Sequence, residues 1–191
     1  MTGPPRPRNV NGASVCDEPV GGGESVRAVE SALRVRADWR VADTTLRSLP
    51  DLAATTALAA SIAGQAHPGD AILLEGPLGV GKTEFARAFL RAAAGDPSLE
   101  VPSPTFTLVQ SYDTARGPVH HFDLWRLEGP GALVEIGWDE ACADIVLVEW
   151  PDRLGELRPA RGLTVSLAVV ERSQARRATL CGWADRIGVL G

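Results

Sequence analysis

Apolar positions in this chain fall into two kinds of run, and their order predicts the architecture. Leu52 to Ala66 is alanine-rich with apolar residues at helical spacing, opened by Leu49-Pro50-Asp51 and closed by the turn His67-Pro68-Gly69-Asp70, so a helix is expected there. Ala71-Ile72-Leu73-Leu74 is an unbroken apolar run, the pattern of a strand buried on both faces of a parallel sheet. Thr83 to Ala94 returns to helical spacing, with Phe85, Ala86, Phe89 and Leu90 on its inward face and Gly95-Asp96-Pro97 at its end.

Further along, Phe106 to Tyr112 alternates apolar with polar and β-branched residues and reads as a strand, as does Val119 to Leu124, which carries an acid, Asp123, near its end. Ile145-Val146-Leu147-Val148-Glu149 repeats that arrangement. Parallel strands that each end in an acid put both acids on one edge of the sheet, where α/β sheets bind ligands. Leu163 to Val170 and Ala178 to Trp183, separated by a charged connection, predict a closing hairpin. The expected fold is α/β in three layers, of the P-loop NTPase kind, with a mostly parallel central sheet and a C-terminal antiparallel hairpin.

The first 23 residues behave differently. They repeat Pro and Gly, end in Gly21-Gly22-Gly23 and hold few large apolar side chains, which predicts a disordered extension. Glu24 to Asp43 is ambiguous between a short helix, an edge strand and no stable structure. Residues 1–44 are therefore read as an N-terminal extension and 45–191 as one ATPase domain, which suits a chain of 191 residues.

Composition narrows the function. A net charge of −5 argues against a stand-alone nucleic-acid binder, which needs a basic face to displace counterions from phosphates. Cys16, Cys142 and Cys181 have neither the spacing nor the matching histidines of a zinc site, and their odd number predicts no disulfide framework. Neither a signal segment nor a run of 18 apolar residues is present, so cytoplasmic localisation with no membrane is the expectation.

The chemistry centres on Gly76-Pro77-Leu78-Gly79-Val80-Gly81-Lys82-Thr83, a full G-x-x-x-x-G-K-[ST] match between a predicted strand and a predicted helix. Gly76, Gly79 and Gly81 let the backbone curl so that N–H groups, Val80's among them, face phosphate oxygens, and the following helix adds its positive end. Lys82 supplies charge to the β and γ phosphates of ATP, and the Thr83 hydroxyl is placed to ligate Mg²⁺. Asp123 and Glu149 supply the carboxylate half of such a site, one near the metal and one near the attacking water, with the division between them open. Capping a helix, or pairing with Arg126 or Arg153, is the plainer alternative for each acid. His120 and His121 point to opposite faces of their strand; one is expected to be buried and hydrogen-bonded, and neither has a metal-site partner set. Trp125, Trp138 and Trp150 are read as packing, with a partner surface as the rival. Ser103-Pro104-Thr105-Phe106 is a hydroxyl-rich turn placed where P-loop enzymes carry switch segments, or else a simple turn into the next strand.

Four segments, G-P-L-G-V-G-K-T at 76–83, S-P-T-F at 103–106, H-F-D-L-W-R at 121–126 and L-V-E-W at 147–150, in this order and spacing, resemble the bacterial TsaE family over roughly residues 45–183. The resemblance implies a partner-dependent ATPase of tRNA N6-threonylcarbamoyladenosine formation at position 37, acting with the TsaB–TsaD pair and reaching tRNA through that complex. It further implies that Lys82 and Thr83 bind ATP and Mg²⁺, that Glu149 serves the metal, that Asp123 is the Walker-B-like acid, that Thr105 is the switch threonine and that Thr55 lies near the base. Three positions depart from the family pattern: Pro77 replaces the usual acid, Trp125 the usual tyrosine, and Glu84, beside the metal shell, a common second hydroxyl. Two rivals remain: a P-loop small-molecule kinase, which needs a second substrate pocket and an arginine-bearing lid, and a nucleotide-gated assembly factor in which turnover is incidental.

Overall fold

The structure is a computed structural model that describes residues 44–189, apart from 128, 130, 161 and 172. The expectations for residues 1–43 lie outside the described residues.

Seven strands form one sheet in the order β1-β7-β6-β2-β5-β4-β3. Its centre is parallel: β2 (Ala71–Glu75) lies between β5 (Ile145–Glu149) and β6 (Leu163–Val169), and β4 (Gly117–Asp123) runs parallel to β5. Antiparallel pairs close both sides. On one, β3 (Val109–Thr114) pairs with β4; on the other, β7 (Arg176–Cys181) pairs with β6 and then with β1 (Thr44–Leu49). The predicted α/β sheet and C-terminal hairpin are therefore present.

Side-chain alternation along the strands divides the core into two. Ile72, Leu74, Ile145, Leu147 and Val165 pack on one face beneath α1 (Leu52–Gln65) and α2 (Lys82–Ala94). Ala71, Leu73, Val146 and Val148 face the other way, toward Leu133 and Trp138 of the short helices α3 (Gly131–Glu135) and α4 (Trp138–Ala141). Phe122 meets Trp138 edge-on at 5.1 Å between ring centroids. Two covered faces explain why β2 and β5 read as continuous apolar runs. No helix among the described residues is long and apolar enough to cross a membrane.

Local chemistry sets the helix ends. The Asp51 carboxylate caps α1 by accepting from the Ala54 N–H at 2.8 Å. Helix α2 starts after Gly81, in the left-handed region, and no side chain caps it. Its first-turn N–H groups lack intrahelical partners and are open to an anion.

The sequence reading is corrected at Phe106–Leu108, expected to begin a strand. Leu108 takes φ of 64° and its N–H bonds the Pro104 carbonyl at 2.7 Å, so these residues form a turn and β3 starts at Val109. That turn brings the hydroxyls of Ser103 and Thr105 to Asp123, which an extended Phe106 segment would carry away.

Candidate functional site

The parallel register of β4 and β5 builds the acidic half of the site. Asp123 stands opposite Glu149 at the strand ends, and alternation turns both toward the face that carries α2. Both are nearly buried, with 4% and 2% of their surface exposed, so each needs partners.

Glu149 finds them in the phosphate loop and on β4. Its Oε2 accepts from Thr83 Oγ1 at 3.0 Å, and its Oε1 lies 3.0 Å from His121 Nε2. Asp123 faces the turn after α2: Oδ2 accepts from Thr105 Oγ1 at 2.6 Å and from Ser103 Oγ at 3.4 Å, while Oδ1 accepts from the Trp125 N–H at 3.1 Å. These partners are hydroxyls, an amide and an imidazole rather than Arg126 or Arg153. Arg126 instead lies over the Phe106 ring at 4.7 Å.

Lys82 is the cation between these groups. Its ammonium donates to the carbonyls of Gly76 and Pro77 at 2.8 and 2.9 Å and lies 3.7 Å from the Trp150 ring centroid. Burial pushes its pKa below the ordinary lysine value, against the raising influence of Glu149 and Asp123. Trp150 stacks in turn on Trp125, 4.4 Å between centroids.

The loop's shape depends on Gly76. Its φ is 132°, and a Cβ there would stand 2.4 Å from the Leu167 carbonyl oxygen of β6. Arg176 of β7 holds the far side, its Nε donating to the Val80 carbonyl at 2.9 Å. The Val80 N–H itself bonds the Pro77 carbonyl at 3.3 Å. Beyond Val80 and Gly81 a cleft opens between the loop, the start of α1 and the β6–β7 hairpin, lined by Thr55, Glu84, Leu167 and Arg176. Glu84 also pairs with Arg87 one turn along α2.

The residues singled out in the sequence thus gather into three adjoining groups. Lys82 lies in the loop formed by Gly76 to Gly81; Thr83 and Thr105 join the strand-end acids Glu149 and Asp123; Thr55 and Glu84 border the cleft beside Val80. Three contributors were not selected from sequence. The sequence pattern reads Trp150 as packing, yet it covers the Lys82 ammonium. Arg176 supports the loop from 96 residues away, and no local pattern announces it. His121 does carry a signal, since it shares a strand face with Asp123 two residues on. His120, on the opposite face, bonds Ser111 at 2.7 Å and Asp144 at 3.2 Å.

The donor set fits a small hard cation. Thr83 Oγ1 and Glu149 Oε2 are hard oxygen donors beside the loop, of the type that Mg²⁺ takes together with water and phosphate oxygens.

Comparison with known proteins gives the site its relatives. Residues 49–178 match the family described as Threonylcarbamoyl adenosine biosynthesis protein TsaE. The tRNA threonylcarbamoyladenosine biosynthesis protein TsaE of Rickettsia felis is 35% identical over 121 residues, covering 63% of this chain and 70% of the relative. The TsaE of Bacillus subtilis is 35% identical over 113 residues, covering 58% and 69%. Among solved structures, Bacillus subtilis YdiB superposes with a TM-score of 0.61 at 27% identity, covering 78% of this chain and 91% of YdiB. With a family match over most of the chain and the phosphate loop, both acids and the hydroxyl-rich turn inside it, this protein belongs to the TsaE family.

Proposed function

We propose that this protein is the ATP-hydrolysing component of the machinery that forms N6-threonylcarbamoyladenosine in tRNA, working with the TsaB–TsaD pair in the cytoplasm. Membership of a threonylcarbamoyl adenosine biosynthesis family supports the pathway, and the full phosphate-loop pattern at 76–83 supports nucleotide binding. The observation that carries the finer reading is the hydrogen bond from Thr83 to Glu149, which joins the phosphate loop to a strand-end acid 66 residues away.

Each part of the site has a task in that reaction. The loop from Gly76 to Gly81 and the uncapped start of α2 receive the phosphates, and Lys82 exchanges its loop carbonyls for β and γ oxygens. Thr83 and Glu149 would hold Mg²⁺, which when bound would supply positive charge against the phosphates. Asp123, bonded to Thr105 and Ser103, holds the switch turn and orients water for attack. Thr55 and Glu84 border the cleft that takes the nucleoside.

Dependence on partners is supported by the rim of the site. Leu78, Phe106 and Trp125 are 75%, 82% and 40% exposed, large apolar side chains on the loop, the switch turn and the segment after β4. A partner that covers them orders Ser103 to Phe106 and excludes water from the phosphates. The acidic chain leaves contact with tRNA to that partner. Reconstitution tests the whole reading: with TsaB, TsaD, tRNA and a threonylcarbamoyl donor, repeated rounds of modification should require this protein and ATP, and should stop with Lys82→Ala.

A further inference from the structure

His121 has no task in the reaction as described, yet it contacts the Glu149 carboxylate directly. Its side chain is 0% exposed and that of Glu149 3%, and Nε2 lies 3.0 Å from Glu149 Oε1. The other oxygen of the same carboxylate accepts from Thr83. Glu149 is thus held at both oxygens, by a strand on one side and by the phosphate loop on the other.

The register explains how the imidazole gets there. Asp123 is paired with Glu149, so His121 is paired with Leu147, on the same sheet face and one diagonal step from Glu149. An ionised carboxylate only accepts hydrogen bonds, so the Nε2 that faces it carries the hydrogen. Nδ1 is buried with no hydrogen-bond partner among the described residues. Burying an imidazole with one nitrogen unpaired costs free energy that an aliphatic side chain would avoid. Among the described residues, the one polar interaction that offsets this cost is the bond to Glu149.

We propose that His121 is a positioning residue for the Glu149 carboxylate: it ties Oε1 down so that Oε2 stays turned toward Thr83 and the divalent cation held there. This rests on the reading of Glu149 as the metal-serving acid. Without the imidazole N–H, the carboxylate is free to rotate about its last side-chain bond, and the cation loses a fixed ligand rather than a charge.

The test is binding of Mn²⁺, followed by electron paramagnetic resonance, to the full-length chain saturated with ADP. His121→Leu and His121→Met remove the donor and keep an apolar filling; His121→Gln restores an N–H at about the reach of Nε2. Both apolar variants should bind Mn²⁺ about 10- to 100-fold more weakly, the usual effect of losing a partner behind a metal ligand. His121→Gln should stay within a few-fold of wild type. ADP affinity measured in EDTA should be the same in all. In a Glu149→Gln background, His121→Leu should cost nothing more, because it acts through the carboxylate. The proposal is overturned if a folded apolar variant binds Mn²⁺ as wild type does while Glu149→Gln is impaired. It is equally overturned if His121→Gln is as poor as the apolar variants, or if the double variant loses as much again. Should Glu149→Gln itself bind Mn²⁺ normally, the metal role of Glu149 fails and this proposal falls with it, an outcome told apart by the Glu149 single variant alone.

Discussion

At the scale of the residue, the site pairs each charge with a group that can give it up. Lys82 is held by two loop carbonyls and the Trp150 ring, all neutral, so phosphate oxygens compete well for it. Lys82→Ala should weaken ATP binding by about 10- to 100-fold, the equivalent of about one charge-assisted hydrogen bond, and should abolish hydrolysis. Calorimetric titration showing unchanged affinity would remove the phosphate role from the loop. Thr105 tests the other acid. Its hydroxyl bonds Asp123 at 2.6 Å, and Thr105→Val keeps the shape while removing that bond. Turnover should fall about tenfold or more at saturating ATP with little change in ATP affinity, as expected for a charge-assisted bond that orders the switch turn. A variant with normal turnover but poor ATP affinity would make Thr105 a ground-state binding residue instead.

At the scale of the element, the junction of β2, the loop and β6 has almost no slack. Gly76→Ala places a Cβ against the Leu167 carbonyl at a φ that side chains avoid, so it should destabilise the protein by about 2 kcal/mol or more. Urea unfolding would show a lower midpoint with the slope unchanged. A midpoint equal to wild type would mean that β6 shifts aside, and the loop is less tightly built than its geometry indicates. The same elements show what the sequence could reveal. Continuous apolar runs and strand-end acids made β2, β5 and the Asp123–Glu149 pair legible, because burial on both faces leaves no polar positions to confuse the pattern. Strand β1 was missed because it is an edge: Thr44, Leu46 and Ser48 are exposed, and its mixed residues carry little alternation. Helices α3 and α4, of five and four residues, are too short to display a period. Phe106 to Leu108 looked like a strand because its aromatic and β-branched residues favour one, while the hydrogen bond to Pro104 and the hydroxyls held by Asp123 impose a turn. The pairs His121 with Glu149 and Arg176 with Val80 depend on sheet register, which no local stretch encodes.

At the scale of the whole molecule, the candidate site opens onto an apolar rim of Leu78, Phe106 and Trp125. Residues 1–23 contain few side chains able to offset the entropy of ordering them, so their removal should leave the melting temperature and ATP affinity nearly unchanged. A fall of many degrees would show that the segment belongs to the fold. The proposed dependence of ATP hydrolysis on partners is decided by steady-state phosphate release from the full chain with Mg²⁺ and ATP, measured alone and with the TsaB–TsaD pair. Turnover should be slow alone and rise when the pair is added, while Glu149→Gln still binds ATP but stays about a hundredfold or more slower in both conditions, within the range for one positioned catalytic group. A wild-type rate that ignores the pair, or a Glu149→Gln chain as fast as wild type, would contradict it.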